Sequence, residues 1–248
     1  MHIIDAFCGI GPWSTRDRLL PYSPEEYLAL MDRCGIDQAL IYGRAAADYG
    51  WPPDANALVL EIARAHPRFI PAFVLFPHAH ASEHTLDQYI DEMRAAGVRA
   101  AWLWPVGTAS LLWVYEEIYA RCEAMCLPLF ISAGFFQPSD IQQICSAFPR
   151  LRLVLTGVPY TADHWLYPLF RRHNELRLCY GHQYVSALAL ERFVQAFGAR
   201  RLLFGSGLPE YSPGGMLGMA HFADLSPLEK ASILGGNLLE LLEEVRYA

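Results

Sequence analysis

Eight short apolar runs, each followed by a stretch of helical length, constrain this chain more than any other feature of it. The runs are Ile3–Ala6, Gln38–Tyr42, Phe69–Leu75, Val98–Trp104, Leu129–Ala133, Leu151–Leu155, Leu176–Tyr180 and Arg201–Phe204. Most are flanked by Gly or Pro and are apolar on successive residues, as expected of strands covered on both faces in a parallel sheet. Between them the grammar changes to that of helices. The segment Ser23 to Cys34 opens Ser-Pro-Glu-Glu, which supplies a capping hydroxyl, a proline at the first helical position and acids beside the exposed amides of the first turn. Ser226-Pro-Leu-Glu repeats that opening near the other end.

Helical patterns over Asp54–His66, Thr85–Ala96, Leu111–Met125, Ser139–Phe148 and Ala187–Phe197 complete the alternation, while Pro168 interrupts the weakest, Asp163–Phe170. Strict βα alternation over 248 residues predicts one (β/α)8 TIM barrel spanning residues 1–248 as a single domain. Chemistry in such a barrel belongs at the C-terminal ends of the strands. A doubly wound sheet is the competing arrangement, but no G-x-G-x-x-G follows the first run.

Composition supplies the core and excludes some partners. Hydrophobic residues make up 53% and charged residues 18%, enough for one large core. The net charge is −7 with only 19 Lys and Arg and no basic run, so no nucleic-acid partner is expected. No apolar run approaches membrane-spanning length and no leader pattern opens the chain, so the expectation is a soluble, cytoplasmic protein with no membrane partner. The six cysteines form no C-x-x-C pair and are expected to be reduced, with core packing the role for Cys122 and Cys126.

Several stretches carry a resemblance. They are Ile3-Ile4-Asp5, Pro149-Arg-Leu-Arg-Leu-Val-Leu155, Arg200-Arg-Leu-Leu-Phe-Gly-Ser-Gly207, and the closing Leu225-Ser-Pro-Leu-Glu229 with Gly235-Gly-Asn-Leu-Leu-Glu-Leu-Leu242. Together the chain resembles the amidohydrolase superfamily, specifically the amidohydrolase-related barrels that include metal-dependent decarboxylases and small lactone or amide hydrolases. That resemblance implies a metal-bound hydroxide held by H-x-H on the first strand, histidines on the fifth and sixth, and an aspartate after the eighth. In this chain those positions read Phe7, Gly9, Ser132, Gly157 and Gly207. A zinc-type site needs three or four N, O or S donors, which this set does not supply. The expectation is therefore no metal and no cofactor, and the function cannot be inherited from the fold.

What remains lies on the rim. Glu210, in Gly207-Leu-Pro-Glu-Tyr, and His182, in Cys179-Tyr-Gly-His-Gln, are candidates for proton transfer. Asp5 is the third catalytic candidate, or a structural acid satisfied by a backbone amide or an arginine such as Arg16 or Arg44. Arg44 or Arg16 would hold an anion, with Tyr42 in support. Phe7, Trp13, Trp104, Ser132 and Tyr160, with Trp102 and Phe135, would line an aromatic pocket. His164 beside Trp165 could overhang the mouth, and a Ser206–His182 pair is conceivable on neighbouring strands. His78-Ala-His80-Ala-Ser-Glu-His84 is the most metal-like cluster by spacing, though it follows the third strand, where the family holds no ligands.

Three functions follow. The first is a metal-independent hydrolase or lyase acting on a small carboxylated or aromatic substrate. The second is a catalytically inactive barrel that binds a ligand or regulates, as a homo-oligomer. The third is a hydrolase with a rebuilt metal site drawn from His78, His80, His182 or Glu210.

Overall fold

The computed structural model describes residues 1–11, 23–44, 52–77, 84–105 and 111–247. Nine strands are present among them: β1 (Ile4–Ile10), β2 (Gln38–Gly43), β3 (Phe69–Pro71), β4 (Phe73–Leu75), β5 (Ala101–Leu103), β6 (Leu129–Ser132), β7 (Leu153–Thr156), β8 (Arg177–Tyr180) and β9 (Leu202–Phe204). Every pairing is parallel, in the orders β1-β2-β3 and β4-β5-β6-β7-β8-β9. The ring closes where the Gly207 amide donates to the Phe7 carbonyl at 3.0 Å and the Gly9 amide donates to the Leu208 carbonyl at 2.9 Å. The result is the predicted eight-staved barrel, with helices outside.

Nine strands make eight staves because the run Phe69–Leu75 is broken at Ala72. The Ala72 amide bonds back to Ile41 on β2, whereas the next amide, Phe73, bonds forward to Ala100 before β5. That leaves the β2-facing edge of β4 without a strand. Asn56, buried on the helix Pro52–Ala65, fills the gap. Its Oδ1 accepts from the Val74 amide at 2.8 Å and its Nδ2 donates to the Val74 carbonyl at 3.0 Å. A side-chain amide thus stands in for a peptide unit, and no buried backbone group on Val74 is orphaned.

Alternate residues of each strand face opposite ways. Ile4, Ala6, Leu40, Tyr42, Val74, Trp102, Phe130 and Val154 form the inner cluster, while Ile41, Phe73, Leu103, Ile131 and Leu155 pack outward against the helices. The Ser-Pro-Glu starts behave as read. Ser23 and Ser226 cap the helices Pro24–Cys34 and Pro227–Ala231, each in a reciprocal box with a glutamate at the third position.

Two local expectations are corrected. Pro168 does not interrupt its helix, which runs Asp163–Arg172 with Leu166, Leu169 and Phe170 buried, so packing outweighs the local defect. The stretch after the eighth strand also holds an unpredicted helix, Pro213–Phe222, whose Gly214, Gly215 and Gly218 argue against helix while Met216, Leu217 and Ala220 bury themselves. Among the described residues no helix is long and apolar enough to cross a membrane, and the six cysteines are free thiols.

Candidate active site at the barrel mouth

The site begins with an irregularity in β1. Asp5 pairs with Ala39 but Cys8 pairs with Ile41, so β1 spends one more residue than β2 over the same distance. A bulge of this kind strands a backbone amide and redirects side chains. Here the Phe7 amide donates to Asp5 Oδ1 at 3.1 Å, and the Ser206 amide donates to the same oxygen at 2.8 Å. Asp5 is fully buried, and its Oδ2 has no hydrogen-bond partner among the described residues. Burial raises its pKa, and the bonds from Ser206 and Phe7 offset this only in part. Of the two roles open to Asp5 in the sequence, the structure supplies the partners of the structural one. It ties β1 to the loop after β9 across the closing seam.

Above that seam lies an ion pair. Arg44, immediately after β2, places Nη2 2.6 Å from Glu210 Oε1, with the arginine side chain 9% exposed and the glutamate 29%. Burial works against the Arg44 charge, but the hydrogen bond to Glu210, helped by Tyr42 and Tyr27, outweighs it and raises the pKa. Gly9 makes room for this arrangement. A Cβ at that position would come within 2.6 Å of Arg44 Cγ and 2.9 Å of the Tyr42 hydroxyl. Tyr27, on the helix Pro24–Cys34, donates its buried hydroxyl to the Gly9 carbonyl and holds β1 beneath the pair. No sequence signal marks Tyr27 as part of the site beyond its place on that helix's buried face.

His182 sits across the mouth, stacked nearly parallel (9°) on Tyr211. Burial lowers its pKa while Glu210, near enough to act on it, raises it in part. Its Nε2 is buried and makes no hydrogen bond among the described residues. Gly207, with φ +79°, packs against the same group: a Cβ there would lie 3.0 Å from Tyr211 Cδ2, 3.4 Å from His182 Nδ1 and 3.7 Å from Phe7 Cε1. A larger residue at 207 would meet both a disfavoured backbone region and occupied space.

Aromatic rings fill the axis between these polar groups. Phe7 stacks on Trp102 at 5.1 Å. Trp102 in turn contacts Tyr42 at 4.5 Å, Phe130 at 5.1 Å and Trp104 at 5.5 Å, the two indoles lying 9° from parallel. Trp104 meets Phe135 edge-on at 5.4 Å. The Nε1 donors of Trp102 and Trp104 are both buried without a partner among the described residues. Buried polar groups are normally satisfied, so these two donors are exceptions within an otherwise apolar stack.

The remaining sequence candidates divide. Ser132 ends β6 beside Gly157, whose Cβ would lie 3.1 Å from the serine Oγ. Tyr160 is corrected: it stands 59% exposed on a short helical turn after β7 and takes no part in the aromatic stack. His164 is corrected too, since it lines a cavity of about 690 Å³ between the helices Asp163–Arg172 and Ala189–Phe197 and bonds to the Thr161 carbonyl. Ser206 is fully buried and its Oγ accepts from the Leu208 amide, so it forms no pair with His182. His84 is engaged with Glu92 at 2.7 Å. Trp13, Arg16, His78 and His80 lie outside the described residues.

The positions where a metal would be held by the resemblance carry no donor set that fits one. Among the described residues no three His, Cys, Asp or Glu side chains gather as a metal-holding group. At Gly9 and Gly207 the space for a ligand side chain is already taken by Arg44, Tyr42, Tyr211 and His182.

The sequence model of the amidohydrolase family matches residues 16–243. The chain belongs to the amidohydrolase family. Solved structures agree on the fold. An uncharacterised TIM-barrel protein from Bordetella bronchiseptica is 22% identical, with a TM-score of 0.74 over 98% of this chain and 99% of that one. The 5-carboxyvanillate decarboxylase of Sphingomonas paucimobilis is 15% identical, with a TM-score of 0.71 over 98% and 99%. A dihydroxybenzoic acid decarboxylase from Polaromonas, solved with bound manganese and 2-nitroresorcinol as inhibitor, is 14% identical, with a TM-score of 0.73 over 98% and 97%. A search of curated proteins finds no match.

Proposed function

We propose that this amidohydrolase-family barrel is a hydrolase of small aromatic carboxylates that carry an ester or lactone, working by acid–base chemistry at the mouth without a divalent metal. The observation that carries the reading is the Arg44–Glu210 pair lying across Gly9, where a family member would present a ligand side chain. A guanidinium there is a fixed cation suited to a carboxylate. The rings of Tyr42, Phe7 and Trp104 beside it suit a planar substrate. Neighbours of this fold that act on hydroxylated benzoates support the same class of ligand.

Hydrolysis is favoured over decarboxylation by electrostatics. Clamping a carboxylate on Arg44 stabilises its ionised form and so opposes loss of carbon dioxide from that same group. The carboxylate is therefore the handle, and another bond is broken. His182, held neutral near pH 7 by its lowered pKa, takes a proton from water on its imidazole. The water oxygen bonds to the ester carbonyl carbon as the carbonyl electron pair moves onto oxygen. The Trp104 N–H, which has no partner among the described residues, would donate to that oxyanion. Collapse re-forms the carbonyl and breaks the C–O bond, and the leaving oxygen takes the proton back from the imidazolium. One water is consumed, and an acid and an alcohol or phenol are released.

The test is turnover of a panel of carboxylated aryl esters and lactones by tag-free protein, before and after chelation, alongside elemental mass spectrometry. The expected result is activity that survives chelation and falls by roughly 10²–10⁴-fold in His182→Asn. Activity lost on chelation and restored by manganese would overturn the metal-free reading. The full burial of Trp102 in the stack favours a second reading, a ligand-binding barrel without catalysis; tight ligand binding with no turnover across the panel would decide for it.

A further inference from the structure

The two halves of the Arg44–Glu210 pair are not equivalent. Arg44 is hemmed in, its side chain 9% exposed between Gly9 and Tyr42, whereas Glu210 is 29% exposed on the loop after β9, next to the 40% exposed Tyr211. Glu210 has no side-chain hydrogen bond among the described residues other than the one to Arg44. A cation that is fixed and buried, paired with a carboxylate that faces water on one side, is an anion subsite already filled by an anion of the protein's own.

We propose that Glu210 is an internal competitor for the Arg44 subsite: a substrate carboxylate binds by displacing the Glu210 carboxylate from Arg44, and the displaced Glu210 turns to His182. This deepens the reading above and rests on it. The exchange leaves the buried guanidinium paired before and after, so no isolated charge is left in the apolar mouth. It also explains why the glutamate paired with Arg44 directly precedes Tyr211, the ring stacked on His182. Once off the arginine, its negative charge favours the imidazolium that forms when His182 takes a proton. The base is then fully supported only when a carboxylated substrate is seated, which makes the pair a specificity device against neutral esters. Glu210 is in this sense a positioning residue.

Calorimetric titration of the full chain with benzoate, and with benzamide as the neutral control, tests the exchange in wild type, Glu210→Gln, Glu210→Asp and Arg44→Met. Circular dichroism checks that each is folded. Aspartate keeps the charge but is one methylene too short to hold the 2.6 Å contact, so it reports even if glutamine perturbs folding. Expected is benzoate binding roughly 3- to 30-fold tighter in Glu210→Gln and Glu210→Asp than in wild type, the range set by the strength of a partly exposed ion pair. Benzoate binding is lost in Arg44→Met, and benzamide binding is the same throughout. In the hydrolysis assay Glu210→Gln should lower KM and kcat together. Equal or weaker benzoate binding in both Glu210 variants, with loss in Arg44→Met, would overturn the competitor and leave the anion subsite standing. No benzoate binding by any folded variant would overturn both.

Discussion

Removing the Asp5 carboxylate separates its role at the barrel seam from a role in chemistry. Asp5→Ala deletes the acceptor shared by the Phe7 and Ser206 amides, at 3.1 and 2.8 Å, and leaves two polar groups with no route to water. Each stranded buried donor costs about 1–3 kcal/mol, so a loss of about 2–6 kcal/mol is expected for the two. For a domain of this size that is a fall in Tm of about 4–24 °C. Asp5→Asn keeps an acceptor oxygen for both amides and removes the ionisable group. The sign with pH follows from the raised native pKa. Between the ordinary carboxylate value and the raised one the native state holds more proton than the unfolded chain, so wild-type stability falls as pH rises through that window. Asp5→Asn has no such term and gains on wild type from acid toward neutral pH. Chemical denaturation of the three proteins across pH measures this. Asp5→Ala within about 1 kcal/mol of wild type, or Asp5→Asn as damaged as Asp5→Ala, would refute the seam role. Loss of turnover in a fully stable Asp5→Asn would make Asp5 catalytic after all.

Three further outcomes follow from the geometry. Because burial lowers the His182 pKa, kcat/KM should rise with pH along an acid limb centred below about 6.5, and the same group should cost stability as pH falls through that window; a midpoint above 7 contradicts the assignment. Asn56→Leu should lose about 2–4 kcal/mol, with the Val74 amide losing hydrogen-exchange protection, because both its backbone groups lose their partner; unchanged protection would place its hydrogen bond elsewhere. Gly9→Ala puts a methyl against Arg44 and Tyr42, so it should cost about 1–3 kcal/mol in denaturation and weaken benzoate binding by displacing the guanidinium.

The amino-acid sequence alone determined the barrel, because its information is local. Strand runs, Ser-Pro-Glu caps and inward–outward alternation are written within a few residues, and the eight repeats leave few ways to cover all the apolar faces. The same locality placed Arg44, His182 and Glu210 at strand ends, whereas the reading of Phe7, Gly9 and Gly207 as ligand positions was implied by the family resemblance alone. It failed at Pro168 and at the helix Pro213–Phe222, where burial of side chains overrode unfavourable local residues.

What only the tertiary structure decided is who meets whom. Asp5 and Ser206 are 201 residues apart in sequence, yet one carboxylate oxygen joins them across the seam. The Arg44–Glu210 pair, the Tyr27 bond to Gly9 and the His182–Tyr211 stack likewise depend on ring closure and on a bulge in β1. A chain position fixes which strand end a side chain stands on. The rotation of that side chain, and whether its charge finds a partner or is left for a ligand, is set by the neighbours that closure of the barrel brings within about 3 Å, the hydrogen-bonding range.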